Sequence, residues 1–235
     1  MRQQYFTFDG KSSRDFAVWI NGGGTFGSPA RDITSVQIPG RNGDLTIDNG
    51  RFLNTDISYQ AYISEDFRRN FDAFKAWMES RIGYKRLADS YHPEYFRRAR
   101  LKESIQPNMG AFNKFGTFEV IFDCDPRKFL KEGEKKREYT ASGSLKNPTR
   151  FEALPLMRVY GTGTVTIGSV AVTINTANVY TDIDCELQEA YKGSTNCNGN
   201  ITLGSGEFPK LKEGTNNIYL SGVSKVELTP RWWTI

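Results

Sequence analysis

Gly206-Glu207-Phe208-Pro209-Lys210-Leu211 leads into Glu213-Gly214-Thr215-Asn216-Asn217-Ile218, and the chain closes on Val226-Glu227-Leu228-Thr229-Pro230-Arg231-Trp232-Trp233. These residues read as a Phe-Pro and Gly-x-Asn turn, an alternating strand, and a final strand with aromatics at its end. Upstream, Thr164-Val165-Thr166-Ile167 and Val170-Ala171-Val172-Thr173-Ile174 flank Gly168-Ser169. That spacing predicts a type II′ hairpin with Gly at the first turn position. Segments 178–185, 200–203 and 223–228 add further strands, and no helical period appears after residue 133. Short strands separated by Gly and Asn turns predict an all-β sandwich or jelly roll for 145–235.

The first half carries the same punctuation around one helix. Residues 5–8 alternate before Asp9-Gly10, and 16–20 reads as a buried strand ended by a flexible loop, Asn21-Gly22-Gly23-Gly24. Residues 33–38 are a strand, followed by Pro39-Gly40-Arg41-Asn42-Gly43-Asp44, in which Asn42-Gly43 suits a two-residue type I′ turn. Residues 45–47 and 56–63 continue the sheet. Phe67, Phe71, Phe74, Trp77 and Met78 then fall on one face of a helix, a stripe that belongs to a core. Ser64 is the expected N-cap, Glu65 and Asp66 favour the positive end of the dipole, Arg81 sits in the last turn and Gly83 closes it. This helix is expected to close one end of a β-sandwich. Segments 84–87, 95–105 and 116–122 complete the domain. Residues 132–138 hold no apolar side chain. They mark a boundary, giving a first domain at 1–132, a linker at 133–144 and a second domain at 145–235.

Composition narrows the function. The 235 residues are 38% hydrophobic and 13% aromatic, ample for buried cores. Net charge is +4, from 31 basic and 27 acidic residues, too balanced for a dedicated nucleic-acid binder. The longest apolar run is about five residues against the roughly twenty of a membrane span, so no membrane partner is expected. No apolar segment follows Met1-Arg2-Gln3-Gln4, so the reading is a soluble protein made in a cytoplasm. Cys124, Cys185 and Cys197 lack zinc spacing and are expected as reduced, idle thiols.

Several stretches together resemble the distal tail proteins, the ring-forming hubs at the tail tip of long-tailed phages of Gram-positive bacteria. The C-terminal Phe-Pro, Gly-x-Asn and Pro-Arg-Trp-Trp run is one. Phe8-Asp9-Gly10-Lys11-Ser12-Ser13-Arg14-Asp15-Phe16 and Ile38-Pro39-Gly40-Arg41-Asn42-Gly43-Asp44-Leu45 look like the opening hairpin and the inter-subunit hairpin. Gly83-Tyr84-Lys85-Arg86-Leu87-Ala88-Asp89-Ser90-Tyr91-His92-Pro93-Glu94-Tyr95 is similar to the post-helix motif, and Phe122-Asp123-Cys124-Asp125-Pro126 to the domain's end. Asp182-Ile183-Asp184-Cys185-Glu186 matches an Asp-x-Asp-Ser-Glu strand, with Cys185 in place of Ser.

The resemblance implies a mainly β, two-domain chain. Its first domain would be a tail-tube-like β-sandwich with one α-helix and a protruding β-hairpin, and its second a galectin-like β-sandwich. It implies a homohexameric ring joining the major tail tube protein to a tail-associated lysin or tail fibre hub, with a receptor-binding protein as a further partner. DNA would pass through the lumen without specific binding. The location implied is the virion tail tip, assembled in the host cytoplasm. Residues 151–235 leave about 85 positions, room for the sandwich alone, so no C-terminal arm or sugar-binding insertion is expected. A hairpin over 36–59 would bury its flanks on a neighbour. Its interface candidates are Ile38, Arg41, Asn42, Asp44, Leu45, Ile47 and Phe52. Phe208, Pro209, Arg231, Trp232 and Trp233 are candidate anchors of the second domain.

Enzyme readings find little support, and no catalytic, cofactor or metal residue is assigned. His92 is the only histidine, sits before Pro93, and no Gly-x-Ser-x-Gly elbow exists. Asp182 and Asp184 share a strand face and could imitate a glycosidase pair, but read as the solvated face of a half-buried strand. Arg68-Arg69, Arg97-Arg98 with Arg100, and Lys135-Lys136-Arg137 lie among carboxylates and read as solvated or salt-bridged surfaces. The alternative function is a galectin-like carbohydrate-binding protein with Trp232 and Trp233 stacking on sugar. Adjacent strand residues point to opposite faces, which favours an anchoring role for the pair.

Overall fold

The computed structural model describes residues 3–22, 27–110, 114–177 and 179–235. Gly23, Gly24 and Asn178, read above as loop and strand start, lie outside the described residues. The chain folds as two compact units that divide after Lys128.

The first unit holds β1 (Phe6–Phe8), β2 (Lys11–Ser12), β3 (Trp19–Asn21), β4 (Arg31–Val36), β5 (Leu45–Phe52), β6 (Thr55–Ile63), α1 (Phe67–Glu79), β7 (Lys85–Asp89), β8 (Tyr95–Leu101), β9 (Pro107–Met109) and most of β10 (Gly116–Leu130). Its main sheet runs β2-β1-β7-β8-β10-β6-β3, with β9 also on β10. An isolated bridge between Gln4 and Ile20 links the β1 end to β3, so the sheet curls until its ends meet. The inner face is aromatic. Phe6 stacks on Tyr59 at 5.4 Å and lies edge-on to Phe74 at 6.2 Å, and Phe118 meets Phe71 at 5.0 Å. All five residues of the α1 stripe are buried. Each such side chain contributes about 1.5–3 kcal/mol by leaving water.

Local chemistry explains where this unit departs from the expected elements. Phe16, expected to open the 16–20 strand, instead ends a 3-10 turn over 13–16, and the strand begins at Trp19. Ser12 and Asp15 make a reciprocal capping box there, and Ala17 turns left-handed, which stops extension until Trp19. The residue before α1 is Asp66, at φ 46° with no side-chain cap bond, so Ser64 is not the N-cap. The first turn is tied instead by the Asn70 backbone N–H to the Asp66 carbonyl and by Asn70 Nδ2 to the Glu65 carbonyl. Arg81 lies past the helix and pairs with Asp9 at 3.4 Å.

The second unit contains β11 (Arg137–Tyr139), β12 (Gly143–Asn147), β13 (Leu156–Tyr160), β14 (Gly163–Ile167), β15 (Val170–Ile174), β16 (Tyr180–Asp184), β17 (Glu189–Lys192), β18 (Thr195–Asn196), β19 (Ile201–Leu203), β20 (Gly214–Ser221), β21 (Lys225–Thr229) and β22 (Trp233–Thr234). A six-stranded sheet, β11-β21-β13-β16-β17-β18, and a five-stranded sheet, β12-β20-β14-β15-β19, share one core. Met157, Val159, Ile183 and Val226 come from one sheet, and Val165, Ile167, Val172 and Ile218 from the other. Ile167 pairs with Val170 around Gly168 at φ 60°, the backbone that a II′ turn needs.

Residues 133–144 are not a linker. Strand β11 pairs with β21, and β12, beginning at Gly143, pairs with β20. Edge position accounts for the charge, since an edge strand needs backbone partners on one side only and charged side chains discourage further pairing. Lys136 reaches Glu227, Lys135 pairs with Glu132 at 2.5 Å, and Arg137 also pairs with Glu132.

Candidate assembly interface

Among the described residues β4 and β5 pair only with each other. Val36 opposes Leu45, Thr34 opposes Ile47, and Ile33 opposes Asp48, with a bulge between Arg31 and Ile33. Side chains opposite each other share a face, so Val36, Leu45 and Ile47 line one side and Ile33 the other. Ile33, Val36, Leu45 and Ile47 remain 40–50% exposed. Two exposed ion pairs brace the ribbon, Arg31–Asp48 at 2.8 Å and Arg51–Asp32 at 2.7 Å. A lone two-stranded ribbon is marginal in water.

The turn differs from the Asn42-Gly43 expectation. Arg41 N–H donates to the Ile38 carbonyl at 3.1 Å, so Pro39 and Gly40 are the central residues. Gly40 sits at φ 79°, and Asn42 is not in the positive-φ region that a type I′ turn requires. Pro followed by Gly is the type II combination, because the ring presets the first φ and only Gly accepts the second without strain. The seven interface candidates therefore fall in three places. Leu45 and Ile47 lie on the aliphatic face. Ile38, Arg41, Asn42 and Asp44 form the exposed loop. Phe52 is half-buried at the base, with the Arg31 guanidinium 5.0 Å above its ring.

The C-terminal anchors cluster in the second unit. Trp232 is 2% exposed within the core, and the carbonyl of Trp232 accepts the Leu130 N–H at 2.9 Å. Gly133 allows this close approach, because a Cβ there would lie 2.4 Å from the Trp232 backbone nitrogen. Trp233 faces elsewhere. It stacks on Phe151 at 4.4 Å and donates Nε1–H to the Glu152 carbonyl at 2.8 Å. Pro209 is buried and Phe208 packs against the core, next to the Ala153–Leu211 bridge.

Asp182 and Asp184 are buried, contrary to a solvated strand face. Asp182 receives Arg158 through Nε at 2.7 Å and Nη2 at 2.9 Å. Asp184 receives Arg231 through Nη1 at 2.7 Å and Nη2 at 2.8 Å, and also the N–H groups of Glu186 and Leu187. Burial works to raise the Asp184 carboxyl, but those donors hold it below its ordinary value. Arg158 lies between Asp182 and Glu227 in the strand register, a charge ladder across three strands. Lys225 and Tyr160 both donate to Glu227 and hold it down to about 2. Each acidic group is saturated by a cation or a hydroxyl and lacks the free geometry of a catalytic pair.

His92 is likewise engaged. Its N–H donates to Asp89 Oδ1 at 2.9 Å and its Nδ1 lies 3.6 Å from the same oxygen. The three cysteines are buried and unbridged, and burial pushes the Cys124 and Cys185 thiols up to about 12. Among the described residues no helix is long and apolar enough to cross a membrane, and no group of three His, Cys, Asp or Glu is placed to hold a metal.

No protein-family model matches the sequence, and no curated protein matches it. Solved structures do. The chain is similar to the SPP1 Dit protein, a paradigm of the hub adsorption apparatus in phages infecting Gram-positive bacteria, with TM-score 0.76, 14% identity and 100% of both chains covered. It is also similar to a chain of the phage P2 baseplate in its activated conformation with Ca, with TM-score 0.54, 12% identity and 97% of each chain covered. The same baseplate with Sr gives equal values. The two-domain, mainly β fold with one helix is therefore that of the Dit protein.

Proposed function

We propose that this chain is the structural hub of a phage tail tip. It would form a six-membered ring that connects the tail tube above to a fibre or lysin hub below, with DNA passing through the centre. The observation that carries the reading is an end-to-end match to the SPP1 Dit fold, covering both domains without remainder. The hairpin supplies the means, since Val36, Leu45 and Ile47 are held on one exposed face of a ribbon that needs a cover. Head-to-tail burial of such a face closes into a ring when the rotation permits.

The hub reading is non-catalytic and places the protein in the virion tail. The carboxylates at 182 and 184 neutralise arginines, and His92 serves Asp89. Trp232 and Trp233 belong to the core and to the Phe151 shelf, which supports anchoring over sugar stacking. Negative-stain electron microscopy of the full chain tests the proposal. Annular particles with an axial opening wide enough for duplex DNA are expected, and they should decorate the ends of tail tubes when the two are mixed. Featureless monomers that ignore tube ends would remove the hub assignment.

A further inference from the structure

On β8 the side chains alternate, with Ala99 in the core, Leu101 packed against it, and Arg100 outside. Arg97 falls on the inner set and opposes the buried Leu87 across the strand pair. A guanidinium at a core-facing position calls for a carboxylate, and none is bonded to it. Its Nη1 is cut off from solvent and has no hydrogen-bond partner in the protein. Arg97 also helps to line a cavity of about 70 Å³, together with Tyr59, Asp89, His92 and Lys128 among others.

The obvious acid is already committed. Asp89 Oδ2 accepts the Tyr59 hydroxyl at 2.6 Å, and its Oδ1 accepts the His92 N–H at 2.9 Å. Lys128 makes the deficit larger. Its Nζ lies 5.6 Å from the Tyr95 ring, and the Glu94 carboxylate is its nearby counter-charge. Burial lowers Arg97 against the pull of Asp89 and Asp125, and burial together with the Arg97 charge lowers Lys128 against the pull of Glu94.

We propose that this cavity binds a small oxyanion of the phosphate or carboxylate class, held by Arg97 with Lys128 as the second cation. A planar guanidinium matches two oxygens of such an anion. The cavity has room for one, since about 10–15 Å³ already admits a water. The site belongs to the first unit alone and does not depend on the hub reading.

The test uses the full chain, melted at constant ionic strength while inorganic phosphate, or separately acetate, replaces chloride. The wild type should gain stability saturably, by about 5–10 °C at a hundred times Kd. Arg97→Gln should abolish the gain, and Arg51→Gln, on the ribbon and outside the cavity lining, should keep it. A saturable response to phosphate alone, or to acetate as well, distinguishes the two sources. Equal responses in wild type and Arg97→Gln would mean only the general salt effect and would overturn the proposal. Should Arg97→Gln fail to fold, Lys128→Gln serves in its place, with several-fold weaker anion affinity expected. A crystal structure grown in phosphate decides directly, through an anion between Arg97 and Lys128 as expected or a lone water, which contradicts the site.

Discussion

Arg231 and Asp184 face each other through two parallel N–H···O bonds, 2.7 and 2.8 Å, although 47 residues separate them. Asp184 keeps 4% of its side chain accessible and Arg231 22%, so the pair works in a low-dielectric setting with one face still wet. Arg231 itself is at φ 59°, an uncommon backbone for a residue with a Cβ. The ion pair and the backbone turn together direct the final residues, Trp232 into the core and Trp233 onto Phe151.

Breaking that pair should unseat the C-terminus. Asp184→Asn is expected to cost about 2–4 kcal/mol, somewhat under the cost for a fully buried pair because Arg231 remains partly solvated. Urea unfolding of the full chain measures it. A loss under about 0.5 kcal/mol would place the pair among ordinary surface bridges.

Acid should act through the same group. The folded Asp184 lies below its ordinary 3.8, so its contribution is complete above that value and is lost as pH falls through the lower, folded one. Glu227, held near 2, behaves in the same direction. Melting temperature should therefore begin to fall below about pH 4, and Asp184→Asn should flatten part of that slope. An unchanged slope in the variant would show that other carboxylates govern acid unfolding.

The two tryptophans should separate cleanly. Trp232→Ala empties a core site and should cost about 3–5 kcal/mol. Trp233→Ala loses a stack and one hydrogen bond near the surface and should cost about 1–2 kcal/mol. Gly133→Ala should behave like a milder Trp232 change, about 1–3 kcal/mol, because its Cβ collides with backbone and not with a flexible side chain. Loss of binding on a glycan array by either Trp variant, with stability intact, would instead support the carbohydrate reading.

Much of this was legible because it rests on local periodicity. The α1 stripe and the 164–174 hairpin need only residues close in sequence, and both stand where the pattern put them. What was missed depends on longer-range register or on competition between local motifs. Arg158 and Asp182 are cross-strand partners, and nothing in the spacing of one strand announces the other. Asn42-Gly43 is a good turn sequence, but Pro39-Gly40 comes first and suits the wider loop. The charged run at 132–138 reads as a linker until β21 supplies backbone partners for its edge strand. Arg97, read as surface, is turned inward by the parity of β8.

Proteolysis tests the revised boundary. Arg41 lies in an exposed loop on a free ribbon, whereas Arg137 is in a paired strand. In dilute protein trypsin should cut after Arg41 first, since open loops are nicked before paired strands. Assembly should slow that cut. Early cleavage at Lys135 or Lys136 would restore the linker.

The ring itself is reached most directly by mass. Sedimentation equilibrium or native mass spectrometry of the full chain across a wide concentration range should reveal a species of six times 26.6 kDa, about 160 kDa, growing at the expense of the monomer. Ile47→Asp, at a position already 47% exposed, should stay folded and shift the population back to monomer. A wild-type chain that remains monomeric at the highest concentration, or an Ile47→Asp chain that assembles as well as wild type, would contradict the hairpin-closed hub.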